Sequence, residues 1–225
     1  MSPAGPSGEP PQPRRLVLWR HGRTEWNRVG RAQGHADISL DVLGRAQAER
    51  AAPLLASYEP AFLWSSDLAR ARETAEHLVA LTGQELVLDE RLREKDVGAR
   101  EGLTFAEFEA AYPEEYAAFA RGAPELTPGS EAVEDLAKRM TAVLTDAVQA
   151  LAEGETGVLV GHGYALRVAV LAFYDVPDRL SEMVAGMSNC AWTVLEQRGR
   201  RGWQIIDYNA QTLPQPLDLP DDPIG

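Results

Sequence analysis

The chain has 225 residues, of which 44% are hydrophobic and 25% are charged, so its composition is that of a globular protein with one large domain. Its formal net charge of −12 argues against nucleic acid or an anionic membrane as a general partner, but not against a small anionic ligand. No apolar run is long enough to span a bilayer, the N-terminal segment lacks the apolar core of a secretory signal, and the single cysteine excludes an intramolecular disulfide. We therefore expect a cytoplasmic protein.

Both ends of the chain differ from the rest in composition. Residues 1–13 are rich in Pro, Gly and Ser and predict a disordered tail. Residues 213–225 predict a flexible acidic tail. We expect a single catalytic domain over residues 14–212.

Apolar runs alternate with segments of helical spacing along the chain. Strands are predicted at residues 16–19, 61–66, 85–92 and 156–163. Helices are predicted from about residue 39, from Asp67 as N-cap to Gly83, over 104–120, over 130–153, and directly after the fourth strand. Residues 190–197 and 202–209 predict a hairpin. The order predicts an α/β fold: a three-layer sandwich with a mainly parallel central sheet, an antiparallel edge strand and helices on both faces.

Polar residues stand directly after the predicted strands. Arg20 and His21 follow the first strand, and Arg70 lies in SSDLAR after the second. Glu94 lies in LREKDVG after the third strand, and His162 lies in GHG at the end of the fourth. Ligands of open α/β sheets bind outside the carboxyl ends of the strands. We therefore expect these five side chains to meet in one site.

Two arginines, two histidines and the amides of helix starts would form a site for an oxyanion, and a phosphoryl group needs several such donors. One histidine can attack phosphorus as neutral imidazole. Glu94 is the candidate acid for the leaving alkoxide, because the like charge of the substrate favours a protonated carboxyl group. The same residue would then act as base for the water that hydrolyses the phosphohistidine. Asp96 and Glu101 lie in the same loop and stay open as alternatives.

A metal site is the other interpretation of two histidines near carboxylates. Arg20 beside His21 would repel a cation, and no HxxEH or HxH spacing occurs. We therefore expect no metal. His35 and His77 are expected to be structural or surface residues.

The segments RHGRTEWN, SSDLARARETA, RLREKDVGAREGLT and VLVGHG, in this order, resemble the histidine phosphatase superfamily, which has the phosphoglycerate mutase-like fold. The likeness runs from about residue 16 to about residue 209. It implies that His21 is the phosphorylated nucleophile and Glu94 the proton donor. It implies that Arg20, Arg70 and His162 hold the phosphoryl oxygens, with Asn27, Thr24, Gln33 and the Gly163 amide as further substrate contacts.

The resemblance also implies catalysis without metal or organic cofactor on a small phosphorylated metabolite. Similar proteins are often dimers, so a homodimer stays open, although the sequence shows no interface pattern. Two residues depart from the family pattern: Arg23 replaces Glu or Gln after RHG, and Arg100 replaces the aromatic residue of GxWEG. Either they add positive charge at the pocket mouth, where Arg23 would contact a second anionic group of the substrate, or they point to solvent.

Within the family, the segment after the third strand is short and acidic, which disfavours a mutase that must retain a bisphosphorylated intermediate. The ending MSNCAWTVLEQ resembles the actinobacterial glucosyl-3-phosphoglycerate phosphatases. The sequence therefore predicts a phosphatase acting on that ester or on a related phosphorylated sugar acid. A phosphoglycerate mutase and a non-catalytic phosphate-binding module are the alternatives.

Overall fold

The computed structural model describes residues 12–123 and 127–212. The strands of these residues are β1 (Arg15–Arg20), β2 (Phe62–Ser65), β3 (Leu86–Leu88), β4 (Thr156–Gly161), β5 (Trp192–Gln197) and β6 (Trp203–Ala210). They form one sheet in the order β3-β2-β4-β1-β5-β6. The first four strands pair in parallel, whereas β5 and β6 pair antiparallel at one edge. The predicted α/β fold with a mainly parallel sheet and an antiparallel edge is confirmed.

Helices cover both faces of the sheet. They are α1 (Glu25–Arg28), α2 (Val42–Ala56), α3 (Ala69–Thr82), α4 (Phe105–Ala111), α5 (Pro113–Phe119), α6 (Val133–Ala150), α7 (Gly163–Phe173) and α8 (Asp178–Ser181). Buried side chains of α2 and α3 pack on one face, and those of α6 and α7 pack on the other. Within the described ranges, no helix has the length and apolarity needed to cross a membrane.

Strand β1 is apolar throughout because both of its faces are buried. Leu16 and Leu18 belong to the core on the side of α6 and α7, whereas Val17 and Trp19 belong to the core on the side of α2 and α3. Successive side chains of a strand point to opposite faces, so a strand between two helical layers needs an unbroken apolar run. All four side chains are fully buried.

The predicted strand over residues 85–92 is wrong in its second half. Strand β3 ends at Leu88, and a 3₁₀ turn (Glu90–Leu92) follows. Asp89 starts the turn, because its carboxylate accepts a hydrogen bond from the Arg91 amide at 2.8 Å. The chain therefore leaves the sheet before it reaches Glu94.

The single helix predicted over residues 104–120 is also wrong. Helices α4 and α5 are separated at Tyr112, whose φ of −137° and ψ of 64° are not helical. Pro113 is the first residue of α5, and the residue before a proline avoids the helical region for steric reasons.

Asp67 does not cap α3 as predicted. The N-cap is Leu68, which makes no side-chain cap hydrogen bond, and the Ala69 amide donates instead to Asp37 Oδ1 at 2.6 Å. Asp67 accepts from Arg93 Nε at 2.8 Å. A carboxylate from a distant loop thus serves the start of α3.

Several other predicted elements are shorter than expected. Helix α2 begins at Val42 with Asp41 as its N-cap, and α6 covers only Val133–Ala150 of the predicted 130–153. Strand β4 ends at Gly161 rather than at residue 163, because His162 is the N-cap of α7. The acidic tail predicted at 213–225, and the N-terminal tail up to residue 11, lie outside the described residues.

Candidate active site

The carboxyl ends of the four parallel strands lie at one edge of the sheet. Arg20, the last residue of β1, is in register with Gly161, the last residue of β4. The ends of β2 and β3 are in register at Ser65 and Leu88. The next residues along β1 and β4 are His21 and His162, so the topology brings the two histidines side by side.

The two histidine rings are neighbours inside the protein. Their centroids lie 5.1 Å apart with an angle of 59° between the ring planes. This separation follows from the roughly 4.8 Å spacing of adjacent strands, since each ring follows the end of its own strand at the same level. Only 3% of His21 and none of His162 is exposed.

The His21 ring is held in one tautomer. Its Nδ1 lies 2.7 Å from the carbonyl oxygen of Gly22. Because a carbonyl can only accept, Nδ1 carries the proton and the lone pair is on Nε2. The backbone of His21 is fixed as well, since its amide donates to Gly161 O at 3.0 Å and its carbonyl accepts from Cys190 N at 2.9 Å.

Glycine is required after His21 because another backbone passes close by. A Cβ at Gly22 would lie 2.4 Å from the carbonyl oxygen of Gly44 near the start of α2. The Gly22 amide donates to Thr74 Oγ1 at 3.0 Å, and the Thr74 hydroxyl donates to Arg70 O at 2.7 Å. The turn that carries His21 is therefore tied to α3.

His162 is bonded through both ring nitrogens. Arg70 Nε donates to Nδ1 at 3.1 Å, so the proton of the neutral ring is on Nε2, which lies 2.9 Å from Ser66 Oγ. His162 thus orients Arg70 and lines the site beside His21. A hydrogen bond from this ring to an oxyanion would replace its bond to Ser66.

Arg70 is fully buried and connects three segments. Besides His162, its guanidinium donates to Ala36 O at 2.7 Å and to Gly34 O at 2.8 Å. Burial lowers its pKa to about 10, with Glu94 opposing the shift, so the charge persists at neutral pH. A guanidinium has five N–H groups, and these contacts use three of them.

Arg20 lies against the start of α7. It donates to the carbonyl oxygen of Met187. A Cβ at Gly163 would lie 3.0 Å from Arg20 Cζ, so glycine at this position lets the guanidinium approach the backbone of GHG. Two arginines and two histidines of the predicted set are thus brought together.

Both histidines are uncharged in the folded protein. Burial lowers the pKa of His21 and of His162 well below the usual value, and the charges of Arg70 and Arg20 lower both further. Below pH 6.5 the unfolded chain therefore binds protons that the folded protein does not. As a result, the free energy of unfolding decreases as the pH is lowered. Neutral imidazole is also the nucleophilic form.

This linkage predicts an acid-sensitive fold. Each histidine should remove up to about 1.4 kcal/mol of unfolding free energy per pH unit below pH 6.5. In urea unfolding between pH 5 and 7.5, we expect the slope of stability against pH to be smaller for His21→Gln than for wild type. The control Thr82→Ser, at the last residue of α3, changes no titratable group and should retain the wild-type slope. Equal slopes for all three proteins would show that His21 is not held neutral.

Glu94 contacts the N-terminus of α7. Its Oε1 accepts from the amides of Lys95 at 2.8 Å and Ala165 at 2.9 Å, and its Oε2 accepts from the Tyr164 amide at 3.1 Å. The carboxyl group is therefore held next to His162 and Gly163. Oε2 has a single amide partner, so it is the oxygen with room for a proton.

Asp96, another candidate acid, is directed differently. Asp96 Oδ1 accepts from the Gly98 amide at 2.8 Å, and its other oxygen is 3.8 Å from His35 Nδ1. Of the loop carboxylates, Glu94 is the one that raises the pKa of Arg70 most, ahead of Glu101, and Asp96 is not among the groups that do so. The electrostatic contact with Arg70 therefore favours Glu94.

Thr24, Asn27 and Gln33 form a connected group beside His21. The Thr24 hydroxyl accepts from the Asn27 amide at 3.1 Å and therefore caps the N-terminus of α1. It also lies 3.0 Å from Gln33 Oε1. Asn27 Oδ1 accepts from the Thr24 amide and from Asn189 Nδ2. Among the described residues no acceptor contacts Asn27 Nδ2, which is the part of this side chain that can serve a ligand.

Neither arginine that departs from the family pattern points to solvent, so that interpretation is wrong. Arg23 is 7% exposed and pairs with Asp41 at 2.8 Å, which neutralises its charge locally. Arg100 is also 7% exposed, and its guanidinium lies 4.4 Å from the ring centre of Phe105 and 5.1 Å from that of Phe108. Arg100 thus packs beneath α4 as a cation–π partner.

Three residues of the site escaped sequence analysis. Ser66 contacts His162, and Asn189 donates to His21 O at 3.3 Å. Arg139 donates to Glu94 O at 2.8 Å. Of these three, only Ser66 could have been identified from the sequence, because it stands directly after a strand of the parallel sheet. Within the ranges that the structure describes, no group of three His, Cys, Asp or Glu side chains is arranged to hold a metal ion.

Comparison with known proteins agrees with this arrangement. A probable phosphoglycerate mutase from Proteus mirabilis is 31% identical over 195 residues, which are 84% of this chain and 90% of that protein. A glucosyl-3-phosphoglycerate phosphatase from Mycolicibacterium vanbaalenii is 37% identical over 188 residues, 81% of this chain and 84% of that one. The solved structure of a mycobacterial glucosyl-3-phosphoglycerate phosphatase in complex with VO3 superimposes with a TM-score of 0.80 at 36% identity, covering 88% of this chain and 100% of its own. The model of the histidine phosphatase superfamily (branch 1) matches residues 16–211, and the chain belongs to this family.

Proposed function

We propose that the protein is a phosphoric monoester hydrolase that works through a phosphohistidine at His21. The observation that carries the proposal is the pair of buried neutral imidazoles 5.1 Å apart, with Arg70 bonded to one of them. A neutral imidazole beside buried positive charge is arranged to attack a phosphorus atom whose oxygens carry negative charge.

In the first half-reaction, the lone pair of His21 Nε2 forms a bond to phosphorus, and the bond from phosphorus to the ester oxygen breaks. Arg20 and the N–H groups of Arg70 that have no role in the fold stabilise the charge on the phosphoryl oxygens. Glu94 Oε2 delivers a proton to the leaving oxygen, so the alcohol departs neutral.

In the second half-reaction, a water molecule attacks phosphorus from the side that the alcohol has left. Glu94, now a carboxylate, takes the proton of the water, and the bond between phosphorus and His21 breaks. The products are inorganic phosphate, free imidazole and the carboxyl group in its starting form. No metal or organic cofactor enters either step.

The proposed substrate is glucosyl-3-phosphoglycerate or a related phosphorylated sugar acid. The relatives of 36–37% identity that carry this name support the choice. Mutase activity is disfavoured by the segment that forms α4 and α5: residues 101–123 contain five glutamates and one arginine, a poor environment for retaining a bisphosphate.

A phosphate-release screen tests the substrate. We propose a panel of glucosyl-3-phosphoglycerate, phosphoglycerates, sugar phosphates and nucleotides, with product analysis by NMR. Free phosphate released fastest from glucosyl-3-phosphoglycerate supports the proposal. An isomerised phosphoglycerate without net release of phosphate would make the protein a mutase, and binding without turnover would make it a phosphate-binding module.

The role of Glu94 predicts a dependence on the leaving group. Glu94→Gln should lower kcat/KM by about 10²-fold or more for 3-phosphoglycerate, whose alkoxide needs a proton. For 4-nitrophenyl phosphate, whose phenolate leaves without protonation, kcat/KM of the same variant should fall much less. We expect Asp96→Asn to show no such difference between the two esters. A loss that is equal for both substrates would move the acid role to another group.

A homodimer and a cytoplasmic location complete the proposal: the first rests on the resemblance to the family, and the second on the composition of the chain. Size-exclusion chromatography with light scattering on the full chain tests the first. A single species with the mass of one chain across micromolar concentrations would contradict it.

A further inference from the structure

The backbone of Glu94 is fixed by a half-buried arginine from a helix that lies 45 residues away along the chain. Arg139 of α6 donates from Nη2 to Glu94 O at 2.8 Å. The same carbonyl lies 2.9 Å from His35 Nε2. The carboxyl group of Glu94 is held by amides of α7, so its backbone and its side chain are fixed by different elements.

Arg139 also holds the chain that leads to Glu94. Its Nη1 donates to Arg91 O at 2.8 Å and to Arg93 O at 2.7 Å. One guanidinium therefore donates to three carbonyl groups, which belong to the 3₁₀ turn and to the loop that follows it. A planar guanidinium can donate to several carbonyl groups at once, and lysine has no such geometry.

Glu131 orients Arg139 and continues the arrangement past Glu94. Its carboxylate accepts from Arg139 Nε at 2.7 Å and from Arg139 Nη2 at 2.8 Å, which is a bidentate pair. The Glu131 amide donates to Asp96 O at 2.9 Å. The Arg139–Glu131 pair thus makes hydrogen bonds to the loop on both sides of Glu94.

We propose that Arg139, oriented by Glu131, is a positioning residue for the proton donor Glu94. The inference rests on the proposed acid role of Glu94. In this proposal Arg139 does not contact the substrate. It acts only by placing the Glu94 carboxyl group correctly relative to the leaving oxygen. Misplacement of a catalytic group by about 1 Å is enough to cost about 10²-fold in rate.

A substitution at Arg139 should be tolerated by the fold. Arg139 and Glu131 border a cleft of about 290 Å³, and the Arg139 side chain is 19% exposed. Water can therefore reach the carbonyls that lose their donor, which limits the cost of leaving them without a protein partner.

The test compares two esters on the same enzyme preparation. We expect Arg139→Gln and Arg139→Lys to lower kcat/KM for 3-phosphoglycerate about 10- to 100-fold, and for 4-nitrophenyl phosphate less than threefold. The ratio of the two values does not depend on the fraction of folded enzyme, so a loss of stability alone cannot produce the difference. Glu131→Gln, which keeps the arginine but weakens its orientation, should show the same pattern with a smaller effect.

Arg14 offers a matched control. It too donates to two backbone carbonyls, those of Val148 and Leu151, but it lies next to the amino end of β1, away from the site. Arg14→Gln should leave the ratio of the two esters at the wild-type value. In a Glu94→Gln background, Arg139→Gln should cause no further loss on 3-phosphoglycerate, because the group that it positions is gone.

Failure of the inference can be told from failure of the proposed function. Suppose that Glu94→Gln lowers kcat/KM more for 3-phosphoglycerate than for 4-nitrophenyl phosphate, but that Arg139→Gln lowers kcat/KM equally for both esters or for neither. The positioning role is then overturned and the acid role stands. If Glu94→Gln itself lowers kcat/KM equally for the two esters, the acid role is overturned, and the positioning role is overturned with it.

Discussion

We expect His21→Ala to lower kcat on every phosphate ester by at least ~10⁴-fold, the range in which removal of an attacking side chain falls. The reason is that the other nucleophilic side chains near the site are engaged in hydrogen bonds or are inert. His162 is bonded through both nitrogens to Arg70 and Ser66, and the Cys190 thiol is buried with its pKa raised to about 12 by burial. The measurement is release of phosphate from 4-nitrophenyl phosphate and from the best substrate of the panel.

His77→Ala is the control for that substitution. His77 lies in the middle of α3 and takes no part in the contacts of the site, so its loss should leave kcat within about twofold. Thermal unfolding of both variants shows whether the fold is retained. Comparable release by His21→Ala and wild type would exclude covalent catalysis by this residue.

The second large effect is expected at Arg70. Arg70→Lys keeps a positive charge but loses the planar fork that reaches Gly34 O, Ala36 O and the His162 ring together. We expect kcat/KM to fall by about 10²–10³-fold, as for the loss of a donor that stabilises an oxyanion. Stability should also fall, by about 1–3 kcal/mol, since buried carbonyls lose their donor.

Arg72 provides the matched control on the same helix. Its side chain is 42% exposed, and its nearest carboxylate, Glu76, is 3.9 Å away. Arg72→Lys should change neither kcat/KM nor the unfolding midpoint measurably. If Arg70→Lys behaved like Arg72→Lys, the buried guanidinium would be dispensable, and the assignment of the oxyanion site would be wrong.

The sheet and the convergence at its edge were predictable because each rests on a local pattern. Unbroken apolar runs such as residues 16–19 reflect burial on both faces, and parallel strands must end at one edge. These two facts place His21 and His162 at the same edge of the sheet. The neighbouring order of β1 and β4 is a tertiary property, yet the site requires it.

The boundaries that were wrong have separate causes. Pro113 was a visible reason to end a helix at Tyr112, and the 3.6-residue spacing of apolar residues on both sides concealed it. The cap of α3 was not visible in sequence, because Asp37 is 32 residues away from Ala69 along the chain. Local propensity favoured Asp67, and a tertiary contact overrode it.

The residues that support the site could not be found from the sequence for the same physical reason. Arg139 reaches the Glu94 loop across 45 residues, and Asn189 reaches His21 across 168 residues. Their residue types are ordinary for a helix and a loop. Arg23 and Arg100 show the converse, since their charge suggested a pocket mouth and the folded chain pairs one with Asp41 and stacks the other on aromatic rings.

Detection of the covalent intermediate tests the central claim most directly. The full-length protein would be mixed with its best phosphate ester, quenched in alkali within milliseconds, digested and analysed by mass spectrometry. We expect phosphate on the peptide that contains His21, stable in alkali and lost in acid, and an increased yield in Glu94→Gln with an aryl phosphate, because that variant lacks the base for hydrolysis. Rapid turnover with no phosphorylated His21 in either protein would contradict a phosphohistidine mechanism.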